Sequence, residues 1–328
     1  MQDALYPLRF KPIFKPALWG GNALRPMFGQ PAPTEAEGEA WVLSDQGDNL
    51  SVVAEGPLAG KTLRDLMVAD ERALLGDATA SHGRFPLLLK FLDARQPLSV
   101  QVHPDDHRAR QMEPASAGLG KTEAWVILKK DPGALLYAGL KTGVDAAAFR
   151  SALQGGTLPD VMHTYEPGIG DCIFLEAGTI HAIGAGLLLF EVQQTSDITY
   201  RLYDWGRVDA KTGKPRQLHI EQSLTCTDVE RGPCDPVHPL PIAGESREQL
   251  VSCRYFTLDR HHGNRPTAVG ALGQCRVAVM VEGTATLEHA GKQYPMKPGD
   301  AILLPAAIGP ARCVPNGPAT ILECGPAS

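Results

Sequence analysis

Hydrophobic and polar residues alternate strictly along residues 98–103 (LSVQVH). Because successive side chains of a β-strand face opposite sides, the apolar residues share one face, and Ser99, Gln101 and His103 share the other. A solvated strand face usually carries Thr, Lys or Glu. A hydroxyl, an amide and an imidazole in one row, followed by Pro104–Asp106, instead predict part of a binding or catalytic site.

The same patterning predicts many short strands and few helices elsewhere. Strands are expected over 85–92 and 121–128, with three more separated by turns over 167–201. Helices are expected over 62–75, 144–153 and 218–224, with a shorter one inside 105–120. The 34 glycines and 27 prolines fit this picture, because frequent turns favour short strands.

A turn-and-strand unit occurs twice in the chain. The first copy starts at Pro167-Gly168 and ends at His181, and the second starts at Pro298-Gly299 and ends at Gly309. Two such copies predict two related β-barrels, of which only the first ends in a metal-binding side chain. The proline-rich segment 233–241 is the predicted linker. We therefore expect a catalytic domain over 1–235 with helical insertions and a β domain without metal ligands over 236–328.

Composition limits the class of protein. The formal net charge of −6 argues against a general nucleic-acid binder, because such proteins neutralise phosphates with Lys and Arg. No signal peptide and no apolar run near the ~20 residues of a membrane span is recognisable. The seven cysteines are scattered and form no C-x-x-C pair, which favours free thiols in a reducing cytoplasm. Monomer and homodimer both remain open.

Four side chains form a candidate metal site: Gln101 and His103 on one strand, Glu123 on the next, and His181 at a turn. Each alone is more often structural, but neighbouring barrel strands would bring the four together, as in divalent metal sites. The set carries a single negative charge if both histidines are neutral. A divalent ion would then keep a net positive charge and act as a Lewis acid with an open position.

The segment 191–207 (EVQQTSDITYRLYDWGR) is the second cluster of interest. Arg201 shares a strand face with Tyr203 and Trp205. One interpretation is an aromatic strand with a solvated arginine. The other turns Arg201 into the site, with Glu191 on the preceding strand as a base.

Five segments carry a family resemblance: 7–24, 88–106, 120–128, 178–207 and 218–224, in which the motifs QVHP, KTE and YRLYDW are the most specific. Together they closely resemble type I mannose-6-phosphate isomerases of the short bacterial kind. The resemblance implies a mainly β tandem cupin, with jelly-roll (double-stranded β-helix) barrels and a few inserted α-helices. It spans the first two-thirds of the chain, whereas the C-terminal barrel matches only in its turn motif.

The resemblance also implies roles for individual residues. One zinc ion per chain would be held by Gln101, His103, Glu123 and His181. Arg201 would be the family's essential arginine, Ser99 and Lys121 would contact phosphate, and Glu191 would transfer a proton. One departure is visible, because Glu176 stands where cupin turns usually have proline.

The implied reaction interconverts mannose 6-phosphate and fructose 6-phosphate through a cis-enediolate. Glu191 is the first candidate for the proton-transfer base and Lys121 the second. Arg201 could serve the phosphate or the enediolate. Two other classes remain open: a cupin oxygenase that binds iron through two histidines and a carboxylate, and a non-catalytic sugar-sensing cupin.

Overall fold

The computed structural model describes residues 5–113, 118–208 and 213–327. Short antiparallel strands dominate it, as the turn-rich sequence predicts. In chain order the first fourteen are β1 (Leu8–Arg9), β2 (Ile13–Gly21), β3 (Glu37–Leu43), β4 (Asp45–Gln46), β5 (Asn49–Leu50), β6 (Leu87–Ala94), β7 (Val100–Val102), β8 (Glu123–Lys130), β9 (Leu136–Leu140), β10 (Met162–Tyr165), β11 (Cys172–Leu175), β12 (His181–Ile183), β13 (Leu187–Gln194) and β14 (Tyr200–Tyr203). The others are β15 (Leu240–Pro241), β16 (Arg247–Ser252), β17 (Phe256–Gly263), β18 (Thr267–Val269), β19 (Arg276–Glu282), β20 (Ala285–His289), β21 (Lys292–Met296), β22 (Ala301–Leu304), β23 (Ala311–Pro315) and β24 (Ala319–Pro326).

Each barrel consists of two sheets. In the first barrel the strand orders are β11-β8-β13-β6-β2-β3 and β10-β9-β12-β7-β14. In the second they are β1-β22-β19-β24-β17-β16-β15 and β18-β23-β20-β21. The run β11-β8-β13-β6 has the same order as β22-β19-β24-β17, so the two predicted related barrels are confirmed.

The helices lie between and beside the strands. They are α1 (Leu24–Met27), α2 (Leu63–Leu75), α3 (Asp106–Met112), α4 (Ala146–Gly155), α5 (Leu158–Val161) and α6 (Ile220–Cys226). The predicted helix over 62–75 is confirmed as α2, which begins in a reciprocal capping box between Thr62 and Asp65. Its apolar face packs into a core shared by the two barrels. A second core fills the interior of the C-terminal barrel.

Strand β7 is shorter than the predicted strand over 98–103. It is limited by the prolines at both ends, because Pro97 and Pro104 have no N–H for a ladder bond. The flanking residues are bound singly instead: Leu98 N donates to Ile183 O, and Lys121 N donates to Pro104 O. The predicted alternation of the two faces is preserved.

The strands β2, β3, β9 and β10 and the helices α1 and α5 were not predicted. The first two lie in a glycine- and proline-rich stretch where alternation is weak. They nevertheless complete the sheet that carries the site, since β3 pairs with β6 over residues 39–43.

The proline-rich segment runs along the first barrel before it reaches β15. Cys234 N donates to Ala138 O, and Val237 N donates to Cys172 O. Strand β1 pairs with β22 and so belongs to a sheet of the second barrel. The division at residue 235 stays a prediction.

The state of the cysteines is the one that their scattered positions in the sequence predict. All seven cysteines are free thiols. Burial raises the pKa of Cys172 and Cys275 to about 12, so these thiols are protonated. Among the helices that the structure describes, none combines the length and apolarity needed to cross a membrane.

Candidate metal centre and active-site cavity

Three strands of the first barrel bring the predicted metal ligands together. Gln101 on β7 lies directly opposite His181 on β12. Glu123 begins β8, and His103 follows β7 directly. Glu123, His103 and His181 are each no more than 2% exposed. The predicted ligands are too far apart in sequence for a local zinc finger. The strands of the first barrel nevertheless place them next to each other.

The distances within this cluster fit a small ion. His181 Nε2 lies 3.3 Å from Glu123 Oε1, and His103 Nε2 lies 3.6 Å from Glu123 Oε2. Tetrahedral ligands at ~2.1 Å from a zinc ion would be ~3.4 Å apart. Gln101 Nε2 is 3.3 Å from His181 Nε2. A flip of the Gln101 amide would exchange the two atoms and present Oε1 to the metal site instead.

Backbone carbonyls fix both imidazole rings. His103 Nδ1 lies 2.8 Å from Ile198 O, and His181 Nδ1 lies 2.9 Å from Thr179 O. A ring that donates from Nδ1 presents the lone pair of Nε2, and both Nε2 atoms face Glu123. Carbonyl support of this kind is typical of metal-binding histidines.

Both histidines are neutral. Burial lowers the pKa of His181 to about 4. The pKa of His103 is also well below its ordinary value, first because of burial and then because of the nearby Lys121 ammonium. Neutral imidazole is the form that binds metal ions.

Glu123 gives the strongest indication that this cluster holds a cation. Both of its carboxylate oxygens are buried, and Oε1 accepts no hydrogen bond from the described residues. Lys121 Nζ lies 2.6 Å from Oε2, so Oε1 is the oxygen without a cation partner among these residues. A buried carboxylate oxygen without a partner is costly, so the donor set fits a divalent metal ion.

Above the ligands lies a cavity of about 360 Å³, within the usual range for small-molecule sites. Its lining comprises Trp19, Glu39, Lys90, Leu92, Leu98, Ser99, Gln101, Lys121, Trp125, Ile183, Glu191, Asp197, Thr199, Arg201 and Arg216. Every predicted catalytic or substrate-binding residue is among them. A larger cleft of about 850 Å³ lies between the barrels, but the cluster of metal ligands does not line it.

A row of side chains crosses the sheet under this cavity. Trp41 on β3 pairs with Lys90 on β6, Lys90 pairs with Glu191 on β13, and Glu191 pairs with Trp125 on β8. Residues directly opposite in a sheet point to the same face. Glu191 Oε2 accepts a hydrogen bond from Trp125 Nε1 at 3.1 Å, and its Oε1 lies 3.2 Å from Lys90 Nζ.

Two buried lysines flank Glu191. Lys121 Nζ is 3.6 Å from Glu191 Oε1, and Lys90 Nζ also lies 3.4 Å from Glu39 Oε2. Burial alone would lower the pKa of Lys90, but the carboxylates of Glu191 and Glu39 outweigh it and raise that pKa. Both lysine ammonium groups thus lie within 3.6 Å of Glu191 Oε1.

Arg201 points into the cavity, as the functional interpretation of its strand predicts. It lies opposite Gln101, and Tyr203 and Trp205 pack against each other outside the cavity lining. Within the described residues Arg201 has no ion pair, and its buried Nε has no hydrogen-bond partner. Burial, followed by the charge of Arg216, lowers its pKa.

The other cavity residues were not predicted from the sequence. Lys90 could have been identified as a candidate, since it is the single charged residue in the apolar run 85–92. Glu39 could not, because the strand that carries it, β3, was not predicted. Arg216 lies beyond the recognised motifs and pairs with Asp204.

The turn before His181 forms without the usual proline. Thr179 N donates to Glu176 O at 3.0 Å, and the Glu176 side chain pairs with Arg231. The departure from the cupin pattern therefore leaves the position of His181 intact.

Comparison with known proteins identifies the family of the chain. Residues 8–121 match the family model of the phosphomannose isomerase type I catalytic domain, and residues 246–315 match that of the mannose-6-phosphate isomerase cupin domain. The chain is 36% identical over 304 residues to the mannose-6-phosphate isomerase ManA of Bacillus subtilis, covering 92% of this chain and 94% of that one. It is 34% identical over 302 residues to a mannose-6-phosphate isomerase of Streptococcus mutans, covering 92% and 93%.

Solved structures give the same result for the fold. The mannose 6-phosphate isomerase from Bacillus subtilis superposes with a TM-score of 0.87 at 31% identity, over 98% of this chain and 99% of that one. A putative mannosephosphate isomerase from Archaeoglobus fulgidus superposes with a TM-score of 0.78 at 20% identity, over the whole of both chains (100% each), which supports the fold alone. The resemblance seen in the sequence is thus confirmed, and the chain belongs to the type I phosphomannose isomerase family.

Proposed function

We propose that this protein interconverts mannose 6-phosphate and fructose 6-phosphate, with one zinc ion per chain held by Gln101, His103, Glu123 and His181. The observation that carries the proposal is the buried His–Glu–His cluster beside a cavity lined by Arg201, which forms no ion pair within the described residues. A bound zinc ion would supply Lewis-acid stabilisation of a substrate oxygen. Zinc is proposed because two imidazoles, a carboxylate and an open position are typical of catalytic zinc sites.

The proton moves between C2 and C1 of the open-chain sugar. Glu191 is the first candidate for its carrier, because it lines the cavity, Trp125 fixes its direction, and Lys90 and Lys121 lie within 3.6 Å of its Oε1. As a carboxylate it can take the proton from C2 of the aldose and return it to C1. Lys121 is the second candidate, since its ammonium reaches both Glu123 and Glu191.

Arg201 stabilises the negative charge that develops on the enediolate oxygen. Its position opposite Gln101 puts it beside the proposed metal ligands, which favours the reacting oxygen over a more distant phosphate. A guanidinium without a carboxylate partner needs no reorganisation to meet a new negative charge. Ser99 and Lys121, which both line the cavity, are the proposed phosphate contacts. Free cysteines support placing the enzyme in the cytoplasm.

A coupled assay tests the activity. Purified protein is expected to convert mannose 6-phosphate to fructose 6-phosphate, and to convert free mannose at least about 100-fold less efficiently, because the unphosphorylated sugar forgoes the binding energy of the phosphate. Oxygen consumption without isomerisation would identify a cupin oxygenase. Binding of the phosphosugar without turnover would identify a sensor. Either result would contradict the proposal.

A further inference from the structure

The second barrel contacts α3 through the carboxylate of Asp106, in the first turn of that helix. Asp106 Oδ2 accepts hydrogen bonds from Tyr255 Oη at 2.8 Å and from Arg254 Nη2 at 2.9 Å. Both donors lie in the turn between β16 and β17 of the second barrel. The contact therefore joins residues 149 positions apart in the chain.

The other oxygen of the same carboxylate holds the segment that leads into β8. Asp106 Oδ1 accepts from Gly120 N at 2.9 Å and from Gln194 Nε2 at 3.0 Å. Gln194 Oε1 in turn accepts from Thr122 N at 2.9 Å. Asp106 thus holds the backbone N–H of Gly120 directly and that of Thr122 through Gln194, so both residues next to Lys121 are held.

Close packing makes this arrangement specific. A Cβ on Gly120 would lie 2.6 Å from both Asp105 C and Asp106 N, so the segment approaches α3 more closely than any other residue would allow. Lys121 N also donates to Pro104 O at 3.0 Å. Little freedom remains in the backbone that aims Lys121 at Glu123.

We propose that Tyr255 of the second barrel is a positioning residue for Lys121, acting through Asp106. The inference rests on the proposed isomerase function, in which Lys121 contacts the substrate or its proton. It gives the second barrel, where the described residues form no metal-binding cluster, a role in catalysis. Hydrogen bonds to a carboxylate are strong enough to orient it. Among the described residues, Tyr255 shares this oxygen only with Arg254, which is 73% exposed.

Replacing Tyr255 with phenylalanine removes one hydroxyl and keeps the ring. We expect Tyr255→Phe to lower kcat for mannose 6-phosphate about tenfold, with KM changed less than about twofold, as for an interaction that matters mainly in the transition state. Tyr294→Phe is the matched control, because Tyr294 packs on the interior core of the second barrel. It should keep kcat within about twofold of the wild type.

A double-mutant cycle with Lys121→Met separates positioning from a general structural loss. If Tyr255 acts through Lys121, Tyr255→Phe should cause no further loss in the Lys121→Met background. The same loss in both backgrounds, or a wild-type kcat for Tyr255→Phe, would overturn the inference.

Hydrogen exchange supplies a readout that needs no substrate. Peptides covering residues 118–125 should exchange faster in Tyr255→Phe than in the wild type or in Tyr294→Phe, and unchanged exchange would overturn the inference. Lack of isomerase activity in the wild-type enzyme would instead refute the proposed function. In that event the exchange result still decides whether Tyr255 holds this segment.

Discussion

Replacement of Glu123 with glutamine is expected to lower kcat about 10³-fold and to leave the purified protein without stoichiometric metal, because the proposed zinc ion would supply several kcal/mol of charge stabilisation. The substitution keeps the size of the side chain but removes the charge that lies between His103 and His181. Activity is measured by the coupled assay, and metal content by elemental analysis of the same sample.

Glu176→Gln is the matched control for this variant. Glu176 has the same side chain, lies on the surface in an ion pair with Arg231, and is 59% exposed. It should retain metal and activity. Bound metal and wild-type kcat in Glu123→Gln would contradict the assignment of Glu123 as a ligand.

Arg201→Met is expected to lower kcat about 10²-fold while the metal stays bound, because a preorganised positive charge beside the reacting oxygen is lost. The loss should fall on kcat rather than KM if Arg201 meets the enediolate. A change confined to KM would instead assign Arg201 to the phosphate. Steady-state kinetics with mannose 6-phosphate distinguish the two.

An exposed arginine on a helix provides the comparison. Arg150 lies on the solvated side of α4, so Arg150→Met should leave turnover unchanged. If Arg201→Met kept kcat within about threefold of the wild type, Arg201 would not stabilise charge in the transition state, since such a role is usually worth ~10²-fold or more.

Those parts of the site that follow from the local alternation of apolar and polar residues could be predicted from the sequence. The alternation over 98–103 put Gln101 and His103 on one face of a strand and the apolar residues on the other. The structure preserves both faces although β7 has only three residues. Side-chain alternation depends on the extended backbone and not on the length of the strand.

Contacts that depend on the packing of distant elements could not be predicted in this way. Glu39 reaches Lys90 only because β3 pairs with β6, and weak alternation hid β3. The contact between Tyr255 and Asp106 depends on how the two barrels dock, and no local pattern encodes it. Lys90 is the intermediate case, because a lone charge in a buried strand requires a partner without identifying it.

The two barrels differ on the pair of strands where the first barrel carries two of the proposed metal ligands. The strand pair β18–β23 corresponds in sheet order to β7–β12, and there Val269 lies opposite Ala311. Both are buried in the apolar interior of the second barrel, whereas the first barrel has Gln101 opposite His181. The second barrel has thus kept the architecture, and its turn at Tyr255 contacts the first barrel at Asp106.

The most direct test of a metal-dependent isomerase is activity on mannose 6-phosphate during a zinc titration of metal-stripped protein. Activity should be absent after chelation, should rise in proportion to added zinc, and should level off at one equivalent per chain. The Glu123→Gln variant should not respond to zinc at that stoichiometry. Full turnover by metal-stripped wild-type protein would contradict the central claim.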